Sequence, residues 1–66
     1  MELYLNGNLR RFDDGICISG LTQALGLAGQ RFAVEVNRNI VPKSQHAEHL
    51  LLPGDRVEII QAIGGG

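Results

Sequence analysis

The chain has 66 residues, of which 44% are hydrophobic, and six Lys/Arg against seven Asp/Glu leave a net charge of −1. That length allows one small core with no deep pocket walled by the chain itself, and the charge balance leaves no basic surplus for releasing counterions from nucleic acid. Apolar runs no longer than three residues, such as Ile16-Cys17-Ile18 and Leu50-Leu51-Leu52, fall far short of the ~20 residues that cross a bilayer, and Met1-Glu2-Leu3-Tyr4 has no positive n-region, so neither a membrane span nor a signal peptide is expected.

Met1, Leu3 and Leu5 alternate with Glu2, Tyr4 and Asn6, the period-2 pattern of a half-buried strand. Asn6-Gly7-Asn8 predicts a hairpin turn, because Asn and Gly tolerate positive φ. Leu9 to Phe12 reads as the returning strand, ended by Asp13-Asp14-Gly15. Ile18, Leu21 and Leu25, with Ala24 beside them, recur at helical spacing. Two starts are open for this helix: Ser19 is a good N-cap, whereas Cys17 is the cap if Ile18 opens it, and Gly20 weakens the first turn. Gly26 marks its C-terminal stop.

Phe32, Val34 and Val36 alternate with Ala33, Glu35 and Asn37 and predict a second clear strand. Asn37-Arg38-Asn39 reads as a turn, and Ile40-Val41 as a short strand halted by Pro42. Ser44 is expected to cap a short helical turn through His49. Pro53-Gly54-Asp55 is a tight turn, and Arg56 to Ile63 is the last and longest strand. This order predicts an α+β fold of the β-grasp (ubiquitin-like) kind, a mixed sheet of four to five strands with one main helix packed across it. The first and last strands then lie parallel and adjacent in mid-sheet. Residues 1–63 are assigned to a single domain and residues 64–66 to a flexible C-terminal tail.

With only three aromatics (Tyr4, Phe12 and Phe32) the core must be aliphatic. On the last strand Val57, Ile59 and Ile63 share the face expected to meet the helix, with Gln61 interrupting the row. Glu58, Ile60 and Ala62 face the other way, where no element is available to cover them. Ile60 and Ala62, set beside Tyr4 of the neighbouring strand, are expected to form an apolar docking patch for a partner. The single cysteine, Cys17, makes no internal disulfide and points to a reducing, cytoplasmic setting. Flanked by Ile16 and Ile18, it reads as a small buried or half-buried hydrophobe rather than a redox group. His46 and His49 stand at i, i+3 without a third ligand and read as solvated surface, so no metal site is expected. Gly26-Leu27-Ala28-Gly29 lacks phosphate-loop spacing. No nucleophile–base or paired-carboxylate arrangement can be assembled, so the chain is expected not to be an enzyme and to bind no cofactor of its own.

The informative feature is the tail. Gly64, Gly65 and Gly66 add nothing to a fold, because glycine loses the most backbone freedom on ordering. At ~3.3 Å per residue they reach roughly 10 Å beyond the sheet. A tail without Cβ atoms suits insertion of the terminal carboxylate into a narrow catalytic channel. A frayed terminus is the plainer reading, but the predicted order feeds the last strand straight into these glycines.

Val36-Asn37-Arg38-Asn39-Ile40-Val41-Pro42-Lys43 follows a V-N-x-x-x-V-P-R pattern, Pro53-Gly54-Asp55-Arg56-Val57-Glu58-Ile59 looks like D-G-D-R-V-E-I, and Ile63-Gly64-Gly65-Gly66 closes the chain. In these segments and over its whole length the sequence resembles the ThiS-type sulfur carriers of thiamine biosynthesis, within the ThiS/MoaD ubiquitin-like superfamily. It departs from their pattern at Gly20 and Thr22, where an acidic residue and Leu are usual, and at Lys43, where Arg is usual. The small subunit of molybdopterin synthase shares the tail and the Gly54-Asp55 turn, but is longer and lacks a clear counterpart of residues 37–43.

The resemblance implies a mechanism. An α-carboxylate with a pKa of about 3.3–3.7 is ionised at neutral pH and a poor electrophile, so it needs a leaving group. An E1-like, ThiF-like adenylyltransferase is implied to adenylate Gly66 with ATP. A persulfide from a cysteine desulfurase or rhodanese-like donor then converts it to a thiocarboxylate, and the sulfur passes to a ThiG-like thiazole synthase. The carrier is expected to be a monomer when free, with no nucleic-acid or membrane partner. Two other readings stay open: a molybdopterin-type carrier, and a noncovalent β-grasp module (a protein modifier or an RNA-binding domain), the latter needing no free Gly66.

Overall fold

In the computed structural model, which describes residues 1–61, the chain opens with a hairpin of β1 (Glu2–Leu5) and β2 (Asn8–Arg11). Asn6 at φ 49° and Gly7 at φ 83° make the two-residue turn with both central residues left-handed, the geometry whose twist matches the flanking strands. The helix α1 spans Ile18–Ala24. β3 (Phe32–Val36) and β4 (Asn39–Val41) form a second hairpin of the same kind, with Asn37 at φ 51° and Arg38 at φ 70°. A 3₁₀ turn at Lys43–Gln45 precedes β5 (Arg56–Gln61). Ala62 and Ile63, read above as strand, and Gly64 to Gly66 lie outside the described residues.

The five strands form one mixed sheet in the order β2-β1-β5-β3-β4. β5 lies parallel to β1, with Tyr4 opposite Arg56 and Leu5 opposite Val57, and antiparallel to β3, from Val36–Val57 to Phe32–Gln61. The predicted β-grasp arrangement is therefore what the chain adopts. One face of the sheet is covered by α1. Leu3, Leu5, Val34, Val36, Val41 and Val57 from the strands meet Ile18 and Leu21 from the helix and Leu51 from the loop before β5. This core is wholly aliphatic. Phe12 and Phe32 pack only at its margin.

Of the two starts that local signals leave open for the helix the chain takes the one at Ile18, and the stop read at Gly26 is the one it adopts. Cys17, not Ser19, is the N-cap, and its Sγ accepts from the Gly20 amide at 3.3 Å. A weak sulfur acceptor suffices because the rest of the chain supplies the other partners: Ile18 N–H donates to His49 O and Ser19 N–H to His46 O. The orphan amides of the first turn are thus met by tertiary structure. A Cβ on Gly20 would lie 3.0 Å from Ile16 Cγ1, so a larger residue there requires the Ile16 side chain to shift. At the other end, Gly26 at φ 76° donates to Gln23 O and Leu27 to Thr22 O, the paired bonds of a Schellman stop. Ser44 caps nothing. It lies inside the 3₁₀ turn, whose N-cap is Pro42 and makes no side-chain bond.

Leu21, fully buried between helix and sheet, is the strongest test of this packing. Leu21→Ala is expected to cost roughly 2–5 kcal/mol in chemical denaturation, a large part of a small domain's stability. Leu50→Ala, at a side chain 59% exposed, should change it by no more than about 0.5 kcal/mol.

Candidate functional site

The strand that leads to the glycines is the central one. Beyond Leu5–Val57 the backbone ladder with β1 stops, and the next bond on that side comes from a side chain: Asn6 Oδ1 accepts from Ile59 N–H at 2.8 Å. β3 pairs with β5 further, to Ala33–Ile60 and Phe32–Gln61. At its last described residue, Gln61 Nε2 donates to Gln30 Oε1 at 2.9 Å and ties the strand end to the loop before β3. β5 therefore runs through the middle of the sheet, with partners on both sides until Ile59.

Alternation along β5 places its faces as the sequence predicts. Val57 is fully buried and Ile59 half-buried toward the helix, whereas Glu58 and Ile60 point to the uncovered face, Ile60 being 55% exposed. Tyr4 lies on that same open face, 41% exposed. The register nevertheless separates these two residues. Tyr4 stands opposite Arg56, whose guanidinium carbon lies 5.9 Å from the centre of its ring, and opposite Leu9 on β2. Ile60 is four residues further along β5, about 13 Å at the usual strand rise. The expected contiguous patch of Tyr4 with Ile60 is thus not formed. Ala62, its third member, lies outside the described residues.

Between the two runs a row of Ile40, Glu35 and Glu58. The two carboxylates are directly opposed across β3 and β5, an arrangement that opposes folding through like-charge repulsion. Ile40 beside them is 72% exposed. A shallow depression lined by Tyr4, Gly7, Arg56, Val57 and Glu58 lies next to this row. The open face is amphipathic: apolar at Leu9, Ile40 and Ile60, acidic at its centre, and basic where Arg56 lies on Tyr4.

His46 does not lie on the solvated surface where its polar neighbours suggest it should. It is buried, its Nε2–H donates to Val41 O at 2.9 Å, and its ring stacks on Phe32 at 6.1 Å between centroids. The imidazole closes the gap between the end of β4 and the start of β3. No periodicity announces this, because the residue sits in an irregular turn. His49 is half-buried. Among the described residues no group of three His, Cys, Asp or Glu is placed to hold a metal, and no helix is long and apolar enough to cross a membrane.

The faces of β5 give a direct test of register. Ile59→Ala should lower stability measurably by opening space against the helix, whereas Ile60→Asp should barely move a circular dichroism melt. The reverse order would mean the strand is shifted by one residue, since that exchanges its two faces.

Comparison with known proteins bears on what this face and strand serve. The ThiS family model matches residues 3–66. The chain is 41% identical over 66 residues to a thiazole synthase of Paramagnetospirillum magneticum, and covers all of this chain but 20% of that protein. It therefore spans about a fifth of the thiazole synthases it matches. It is 29% identical to the sulfur carrier protein ThiS of Escherichia coli K12, with 100% of both chains covered. A crystal structure of the thiamine biosynthesis protein ThiS from Geobacter metallireducens matches with a TM-score of 0.85 at 28% identity, over 100% of both chains.

Proposed function

The chain belongs to the ThiS family, and we propose that it is a sulfur carrier for building the thiazole of thiamine, working through the carboxylate of Gly66. The observation that carries this reading is the family match running through residue 66, together with a central strand that heads into residues 62–66. The carrier catalyses nothing. It presents a carboxylate, and partner enzymes do the chemistry.

An E1-like adenylyltransferase joins the Gly66 carboxylate to the α-phosphate of ATP and releases pyrophosphate, so that AMP becomes the leaving group. The terminal sulfur of a protein persulfide, held by a cysteine desulfurase or rhodanese-like donor, attacks the acyl carbon and expels AMP. A second thiol then cleaves the S–S bond and leaves the thiocarboxylate. A thiazole synthase takes up this sulfur. A segment similar to this chain occurs within polypeptides named thiazole synthase, and joining the two raises their effective concentration, which supports the synthase as a partner.

Gly64 and Gly65 serve as the part of the tail that threads the partner's active site, where a Cβ would clash. The open face serves as the docking surface, with Tyr4, Ile60 and Ala62 its proposed contacts. The separation of Tyr4 from Ile60 makes these two contact points on one face rather than one patch, and the opposed Glu35 and Glu58 between them favour a partner with a basic group there. The carrier acts in the cytoplasm, in keeping with its one free cysteine, and as a monomer between encounters.

AMP formation with a cognate adenylyltransferase, ATP and a persulfide donor tests the reading. Gly65→Ala should fold normally and slow AMP formation. Removing Gly66 shifts the carboxylate by about 3.3 Å and should abolish it or nearly so. Ile60→Asp, folded as above, should weaken binding to the adenylyltransferase at least ~10-fold, because its charge must be desolvated against the partner. Wild-type rates in the tail variants would show that the tail is not the working part.

A further inference from the structure

We propose that Asn6 is a positioning residue for the tail, holding the end of β5 in the sheet so that the glycines start from a fixed point; this rests on the carrier reading above. Asn6 sits at φ 49° as the first central residue of the β1–β2 turn. Turn geometry alone is met as well by Gly or Asp at this position. The side chain does something a turn does not require. Its Oδ1 accepts from Ile59 N–H at 2.8 Å while its own N–H donates to Val57 O at 2.9 Å. Asn6 thus extends the short β1–β5 ladder, which has only the Tyr4–Arg56 and Leu5–Val57 pairs, by one further rung toward the tail. Without that oxygen, the backbone of residues 59–61 is paired with β3 alone, as an edge strand would be.

Each residue of β5 that frays from the sheet has to be ordered again when the carboxylate enters a partner's channel, and ordering backbone is unfavourable. Fraying also moves the starting point of the tail relative to the docking face. A bond at Ile59 therefore acts on the chemistry at Gly66 without touching any reacting atom.

The fold carries its own control. Asn37 holds the equivalent place in the β3–β4 turn, at φ 51°, and clasps the opposite end of β5: its N–H donates to Arg56 O at 2.7 Å, its Oδ1 accepts from Arg56 N–H at 3.0 Å, and its Nδ2 donates to Asp55 Oδ1 at 3.1 Å. Asn6→Gly and Asn37→Gly each keep a residue that accepts positive φ and remove a clasp from β5. One clasp is at the tail end and the other is not.

The test uses the chain ending at Gly66 with its adenylyltransferase, ATP and a persulfide donor, reading AMP formation alongside hydrogen exchange and denaturant unfolding. Asn6→Gly is expected to speed exchange of the Ile59 amide and lower kcat/KM for AMP formation by roughly three- to tenfold, the range of one lost hydrogen bond. Asn6→Asp, which tolerates the same backbone and offers an acceptor oxygen, should restore both. Asn37→Gly should lower stability at least as much as Asn6→Gly yet leave AMP formation at the wild-type rate. If Asn6→Gly turns over like wild type, if Asn6→Asp fails to rescue, or if Asn37→Gly slows AMP formation to the same degree, the positioning role is wrong and Asn6 only stabilises the fold. If the wild-type chain itself forms no AMP, the carrier reading falls and this inference falls with it.

Discussion

Everything in this fold is registered on β5. Its Val57 is fully buried at the centre of the aliphatic core, its parallel partner is the first strand and its antiparallel partner the third, and the two hairpins that flank it reach it with an asparagine each. Joining β1 to β5 closes the chain over its longest separation, with Asn6 and Ile59 53 positions apart. Such pairing is slow to form, because the entropy of closing the loop must be overcome before the contact is gained. Until β5 is in place the two hairpins have no shared sheet and the helix no complete face to cover. The same strand then runs toward the glycines, so the element that completes the fold also carries the proposed working part.

Among the described residues a single helix covers one face of the sheet and leaves the other bare. That asymmetry is costly in a chain this small, since Leu9, Ile40 and Ile60 remain exposed and Glu35 faces Glu58 across two strands. The proposed docking role gives these features a use: the apolar side chains would lose water on docking, and the paired carboxylates would gain a counter-charge. Arg56 over Tyr4 is the local exception, an aromatic ring already shielded by a cation from its own sheet.

Alternation made the strands legible, and Asn-Gly and Gly-Asp marked turns that the backbone needs, so the order of elements and the parallel meeting of first and last strands could be read before any coordinates. What could not be read depended on contacts between distant segments. Cys17 caps the helix because His46 and His49 supply carbonyls to the neighbouring amides, and a local preference for serine cannot anticipate that. His46 is buried because Val41 O and the Phe32 ring receive it, not because of anything in its own neighbourhood. Tyr4 misses Ile60 because a parallel register is set by the whole core, whereas face alternation, which placed both residues on the open side, is a property of each strand alone.

Two sulfur destinations can be told apart by mass. After incubation with ATP, the adenylyltransferase and a persulfide donor, fragment mass spectrometry of the intact chain reads how much mass is gained and where. A thiocarboxylate exchanges one oxygen for sulfur, so the carrier account predicts a gain of about 16 Da confined to the fragment bearing Gly66, dependent on ATP. A gain of about 32 Da on the fragment bearing Cys17, independent of ATP, would instead make the cysteine the sulfur carrier as a persulfide and contradict the account at its centre.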